Sequence, residues 1–191
     1  MNTAIEQPGQ SPGSASTAPV EPTSSEARAL GRGLAVLRIF AGVILFANGL
    51  AKLFDVRNFS LGPYSANLVN RGLARTILEE ETDRTQLPFL KSLVQEVMLG
   101  HWGIVQWLIT AMELGVGALL IVGLATRAAA LIDLGQQLFL AAVYFSSNRW
   151  AFEQPHEYIP LAILALVPAG RVWGLDGRLI RKRPNLRHWP H

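Results

Sequence analysis

Glu113 stands near the middle of an apolar stretch, residues 103–124, where its carboxyl group has little chance of meeting bulk water. It has company: residues 34–54 carry Arg38, Asn48 and Lys52, and residues 128–145 carry Asp133, Gln136, Gln137 and Tyr144. An ionised side chain at mid-membrane costs on the order of 2.5–3.5 kcal/mol on insertion scales. Such groups must therefore pair, hydrogen-bond or face water. A quinone needs donors to hold its two carbonyl oxygens and a titratable group to exchange protons with them. Glu113 with Asn48, Gln137 or Tyr144, and with Lys52 approaching from above, supplies that set and forms the candidate quinone and proton site. Arg38 and Asp133 both fall one to two turns above the cytoplasmic face and are the expected structural ion pair. The same residue types have two other uses. They can hold a bundle together by interhelical hydrogen bonds of roughly 1–2 kcal/mol at most, or they can line a pathway for protons or small solutes. No residue is singled out as catalytic.

Helical spacing puts these groups on shared faces. Arg38, Gly42, Leu45, Asn48 or Gly49, and Lys52 recur at steps of three or four, as do Gln106, Thr110, Glu113 and Gly117. Asp133, Gln137, Ala141, Tyr144 and Asn148 form a third such stripe. Three helices, each with one polar-and-small stripe, suit a bundle whose polar seam faces inward, because lipid-facing positions must stay apolar.

The elements that would carry these faces are legible in the hydropathy. Of the 191 residues 50% are hydrophobic and 16% charged, against roughly 25% charged in soluble domains, and the apolar residues are bunched. Four spans are expected at about 34–54, 103–124, 128–145 and 158–175, each to be weighed against a hydrocarbon core of about 30 Å. The fourth should bend or thin at Pro168, with Arg171 reaching back to the headgroups. Ala125 and Thr126 alone separate the second span from the third, which makes those two a tight antiparallel hairpin. The expected architecture is all-α: a four-helix transmembrane bundle with amphipathic helices in the first extracytoplasmic segment.

Residues 1–33 are rich in Pro, Ser, Thr, Gly and Ala and lack aromatic side chains, so they are expected to form a disordered cytoplasmic tail. The membrane domain is expected over 34–176 and a basic cytoplasmic tail over 177–191. In the outer segment, 55–102, two apolar stripes recur at helical spacing, Leu68 to Leu78 and Phe89 to Met98. Their helices would lie on the outer membrane surface, cap the bundle, or dock a soluble partner. Arg28, Arg32, Arg127 and the cluster Arg178, Arg181, Lys182, Arg183 and Arg187 place both termini in the cytoplasm under the positive-inside rule.

Several chemistries are excluded. The net charge of +3 reflects that terminal cluster, which faces lipid headgroups rather than nucleic acid. With no cysteine there is no disulfide, thiol pair, Fe–S cluster or zinc thiolate. His101 and His156 sit at outer span ends and His188 and His191 in the tail, so a bis-histidine haem inside the bundle is ruled out. His101, Trp102, Trp150, Glu153, His156, Glu157 and Tyr158 are expected together at the outer interface, with the aromatic ones as a membrane belt. No metal is assigned to them.

The stretches RIFAGVILFANGLAKL (Arg38 to Leu53), ELGVGALLIVGLATRAAAL (Glu113 to Leu131) and AGRVWGLD (Ala169 to Asp176) together resemble the DoxX family of bacterial and archaeal four-helix membrane proteins. The resemblance rests on Arg38, Gly42, Gly49 and Lys52, on Glu113, Gly117, Gly123, Thr126 and Arg127, and on Gly170, Arg171, Leu175 and Asp176. It implies a multi-pass protein of the plasma membrane. Through kinship with DoxD, a membrane subunit of thiosulfate:quinone oxidoreductase, it also implies a quinone-linked redox role, tied to sulfur compounds or to oxidative stress. No cofactor is then bound covalently. The partners to expect are membrane lipid, a redox subunit that donates electrons, and a second copy of the chain. The rival expectation is a membrane anchor or assembly factor with no chemistry of its own. The N-terminal tail and the long first outer segment depart from the family pattern.

Overall fold

The computed structural model describes residues 23–148 and 153–183. Expectations that concern residues 1–22, Trp150, Arg187, His188 and His191 lie outside the described residues.

Helix α1 spans Ser24–Phe54, so its first ten residues fall where a disordered tail was expected. The local chemistry explains the early start. The Thr23 hydroxyl accepts from the Glu26 amide at 3.4 Å and the Glu26 carboxylate accepts from the Thr23 amide at 2.7 Å. This reciprocal capping box satisfies two otherwise orphaned donors. Good helix formers predominate after it in the run ARALGRGLAVL, with Gly31 and Gly33 the exceptions. At about 1.5 Å per residue the helix is roughly 46 Å long, longer than a hydrocarbon core, and its N-terminal turns extend beyond the apolar portion.

Residues 55–102, the segment expected on the outer side, open with an unanticipated hairpin, β1 (Asn58–Leu61) paired antiparallel with β2 (Tyr64–Asn67); the two ends of the bundle are named outer and inner after that expectation. Leu61 faces Tyr64 across the two-residue turn Gly62–Pro63, with Gly62 at φ 58°. A glycine takes that positive φ without a Cβ penalty, and proline suits the next position. Helix α2 (Arg71–Arg84) begins at Asn70, whose side chain caps the Leu73 amide at 2.9 Å. Helix α3 (Pro88–Ser92) widens into π-type turns over Leu93–Leu99. Leu78 of α2, together with Leu90 and Val94, packs against Trp102 and Val143. The two amphipathic faces therefore cap the outer end of the bundle.

Among the described residues three helices are long and apolar enough to cross a membrane: α1, α4 (Trp102–Val122), and α5 (Thr126–Val143) with the short 3-10 turn that continues it to Ser146. Their outward faces carry Phe40, Ile104, Leu108 and Leu138 uncovered, as lipid contact requires. Helix α6 (Pro155–Leu166) is about 18 Å long, too short to span by itself. It stops because Val167, which precedes Pro168, turns extended at φ −107°, ψ 146°. A 3-10 turn, Ala169–Arg171, and the amphipathic helix α7 (Leu175–Lys182) follow.

Helices α1 and α4 pack closely because glycines face each other. A methyl added at Gly42 would lie 2.9 Å from the Gly117 carbonyl, and one at Gly117 would lie 2.7 Å from the Phe46 amide nitrogen. Leu45, Val116, Leu120, Ala129 and Leu164 fill the core between α1, α4, α5 and α6.

Candidate functional site

Two polar centres occupy opposite ends of the bundle. They are separated along α1 by the fourteen helical steps from Arg38 to Lys52, about 21 Å.

At the outer centre, Lys52 in the last turn of α1 reaches across to α4, and its Nζ lies 2.8 Å from Glu113 Oε2. Both side chains are nearly inaccessible, at 5% and 6% exposure. Gly49, one turn below Lys52, makes this reach feasible: an added methyl there would meet the Leu114 amide nitrogen at 2.9 Å. On α5, Gln136 donates to the other carboxylate oxygen of Glu113 at 3.3 Å. Asp133, one turn earlier on α5, is also buried, and its Oδ1 has no hydrogen-bond partner. The side-chain oxygens of Gln136 and Gln137 are buried and unpartnered too. Lys52, Arg71, Trp102, Gln106 and Ile109 line a crevice on the outer side, too narrow for a water-sized sphere. Arg71 stands at its rim, 4.5 Å over the Trp107 ring and 3.9 Å from Asp55.

The members of the expected site separate on this geometry. Lys52 and Glu113 meet. Asn48 does not join them: its Oδ1 accepts from the Val69 amide at 3.4 Å and ties down the chain after the hairpin. The amide that reaches Glu113 belongs to Gln136, not Gln137, which lies against Asp133 on the same helix. Tyr144 sits eight residues beyond Gln136, about 12 Å along the helix direction, in the outer 3-10 turn.

At the inner centre the expected Arg38–Asp133 ion pair does not form. Arg38 is fully buried and donates to the carbonyls of Ala169 and Trp173, both at 3.1 Å, and of Val172 at 3.4 Å. Depth is the reason. Arg38 lies level with Gly123, whose added Cβ would strike the guanidinium, whereas Asp133 is about 10 Å further along α5 from its first residue. Between Pro168 and Gly174 the chain is not α-helical, so its carbonyls are free for the planar donor fork.

The carboxylate serving this end is Asp176. It accepts from the amides of Ala125 at 2.8 Å and Thr126 at 3.0 Å, at the N-terminus of α5, where the helix dipole favours negative charge. Its own amide donates to Gly123 O at 2.8 Å. Gly123 (φ 67°) and Ala125 (φ 47°) make the left-handed turn that reverses the chain between α4 and α5. Gly170 and Gly174 leave no room for a side chain, since a Cβ on either would overlap its neighbours. The residues of GLATR and AGRVWGLD are therefore two halves of one interlocked junction.

Among the described residues no group of three or more His, Cys, Asp or Glu side chains is placed to hold a metal ion. No curated protein and no solved structure matches the chain. The family model described as DoxX matches residues 33–146, which take in most of α1 and everything through α5, including the Lys52–Glu113 pair. With three apolar helices around that buried pair and the model covering more than half its length, the chain belongs to the DoxX family.

Proposed function

We propose that the chain is a quinone-handling membrane subunit in which the Lys52–Glu113 pair exchanges protons with the quinone headgroup. The observation that carries this reading is the 2.8 Å ion pair itself, sequestered beside the narrow crevice that Lys52, Arg71, Trp102 and Gln106 line. Two carboxyl groups, Glu113 and Asp133, share this buried region with one ammonium, Lys52. Gln136 donates to Glu113 and Gln137 lies against Asp133, so each carboxyl has an amide beside it. Quinone reduction takes two electrons and two protons, one proton for each carbonyl oxygen. Lys52 and Gln106 supply donors to the crevice and Trp102 supplies an aromatic wall, so the donor set fits a quinone ring. The space does not, and the ring gains admission only when Arg71 and Trp102 swing aside. Electrons come from a partner subunit that oxidises a reduced sulfur compound, in keeping with the family kinship.

In this reading α6 and the segment after Pro168 form a fourth crossing. Both termini face the cytoplasm of a bacterium or archaeon, consistent with Gly31 lying against Val172 at the same end as the basic helix α7. Titrating the full chain in detergent with ubiquinone and menaquinone analogues tests the site. Saturable binding that Glu113→Gln and Lys52→Ala each weaken is expected; binding indifferent to both variants refutes it.

A second reading, a membrane anchor or assembly factor, draws support from the hairpin, whose Phe59, Leu61 and Tyr64 are exposed beyond the bundle. Removing residues 58–67 separates the two. The anchor reading predicts loss of a stoichiometric partner with quinone binding unaffected.

A further inference from the structure

Beside the inner junction lies an open cavity of about 620 Å³ lined by Val122, Arg171, Trp173, Leu175, Arg178 and Arg181. It is separate from the outer centre and takes no part in the proposed quinone reading. Arg178 and Arg181 are three residues apart on α7, which brings their side chains to one face. Arg171 comes from the preceding 3-10 turn. Three guanidinium groups thus line one concavity with no acidic residue in its lining. Among the described residues no ion pair engages Arg178 or Arg181.

The backbone fixes this arrangement firmly. Trp173 holds a left-handed conformation, φ 51°, costly for so bulky a residue, while its carbonyl is anchored by buried Arg38. The residue remains 62% exposed beside the arginines. Asp176 pins the start of α7 to the α4–α5 turn through Ala125 and Thr126. The cavity is therefore mounted on the most tightly bonded part of the inner end.

We propose that this cavity binds the phosphate of an anionic phospholipid headgroup. Guanidinium forks match phosphate oxygens in geometry and charge, and basic pockets at the ends of membrane helices suit such headgroups. The apolar part of the lining selects a lipid over a soluble phosphate ester. Val122 closes the lipid-exposed helix α4, and with Leu175 and Trp173 it offers an exposed apolar edge along which an acyl chain can leave the pocket.

The test is native mass spectrometry of the detergent-purified full chain with added phosphatidylglycerol, cardiolipin or phosphatidylcholine, the last being zwitterionic. Phosphatidylglycerol and cardiolipin are expected to remain bound and phosphatidylcholine to dissociate. Arg178→Gln/Arg181→Gln should reduce retention roughly tenfold or more. Lys182→Gln/Arg183→Gln removes the same charge from residues outside the lining and should leave retention nearly unchanged. Equal loss in both pairs would reduce the effect to bulk charge and overturn the site, as would no loss in either. Inorganic phosphate and glycerol 3-phosphate serve as competitors. Displacement of the lipid by either at equimolar concentration would assign the pocket to a soluble phosphate and overturn the lipid assignment. Unfolding midpoints of both double variants matching the parent confirm that the comparison is made on folded protein.

Discussion

The Asp176 amide donates to the Gly123 carbonyl at 2.8 Å while its carboxylate turns back to the amides of Ala125 and Thr126. One residue of the C-terminal segment thereby closes the α4–α5 turn from both sides. It satisfies two donors of a helix N-terminus and places negative charge within electrostatic reach of buried Arg38. The turn and the segment after Pro168 stand or fall together.

Asp176→Ala removes two charge-assisted hydrogen bonds and leaves the Ala125 and Thr126 amides wanting partners. Each such bond is worth about 1.5–3 kcal/mol, so a loss of at least about 3 kcal/mol is expected. Asp176→Asn keeps one acceptor and should fall between parent and alanine variant. Unfolding midpoints in detergent give the order; an alanine variant as stable as the parent would show that water replaces the carboxylate without cost.

The α1–α4 contact makes a steric prediction. Gly117→Ala places a methyl against the Phe46 backbone and should cost roughly 1–3 kcal/mol. Gly135→Ala, where nothing lies within 4 Å, should be neutral or stabilising by up to about 1 kcal/mol. The two substitutions are chemically identical, so the same unfolding assay run on both separates close packing from helix propensity. Equal effects would contradict the close approach.

Features that rest on periodicity were readable in the chain. The apolar lengths of α1, α4 and α5 follow from hydropathy, the glycine faces of Gly42 and Gly117 from steps of three and four, and Lys52 as a neighbour of Glu113 from their depths along the two helices. The choice between Gln136 and Gln137 did not follow. Adjacent residues point about 100° apart, and a few degrees of helix rotation decide which one faces Glu113. Arg38 was given a carboxylate because backbone carbonyls are anonymous in a sequence. Pro168 announced a break, but not that the freed carbonyls would receive a guanidinium. Two local signals in the sequence match elements outside the expected architecture. The Thr23-x-x-Glu26 pattern marks a helix start inside the supposed tail, and Gly62–Pro63 between Phe59, Leu61 and Tyr64 marks a hairpin turn.

The helix start carries a pH dependence. Glu26 is exposed, beyond the apolar part of α1, and its hydrogen bonds first to the Thr23 amide and then to the Thr23 hydroxyl hold its carboxyl below the ordinary value of 4.5. A depressed folded-state value means that the cap contributes fully above that ordinary value and is lost as pH falls through the lowered one. Amide exchange in the first turn of α1 should therefore accelerate in acid, after correction for intrinsic rates. Thr23→Ala should show fast exchange at neutral pH already. A Glu26 carboxyl that titrates at its ordinary value in the parent would remove the cap's role.

The Lys52–Glu113 pair admits a cycle that separates architecture from chemistry. Lys52→Met leaves a carboxylate buried without its cation and should cost about 3–5 kcal/mol. Restoring apolar balance with Lys52→Met/Glu113→Leu should recover most of that loss, because replacing both members of a buried pair is often neutral or stabilising. Stability alone therefore cannot explain the pair if the double variant is sound. If the pair handles protons for a quinone, the double variant folds normally yet binds quinone analogues at least tenfold more weakly, since the apolar replacements offer neither a donor nor a proton. If the pair only fastens α1 to α4, the double variant retains both its stability and any quinone binding. Measuring unfolding and quinone titration on the same two preparations decides between them, and retained binding in a stable double variant sinks the proton-handling role while leaving the fold intact.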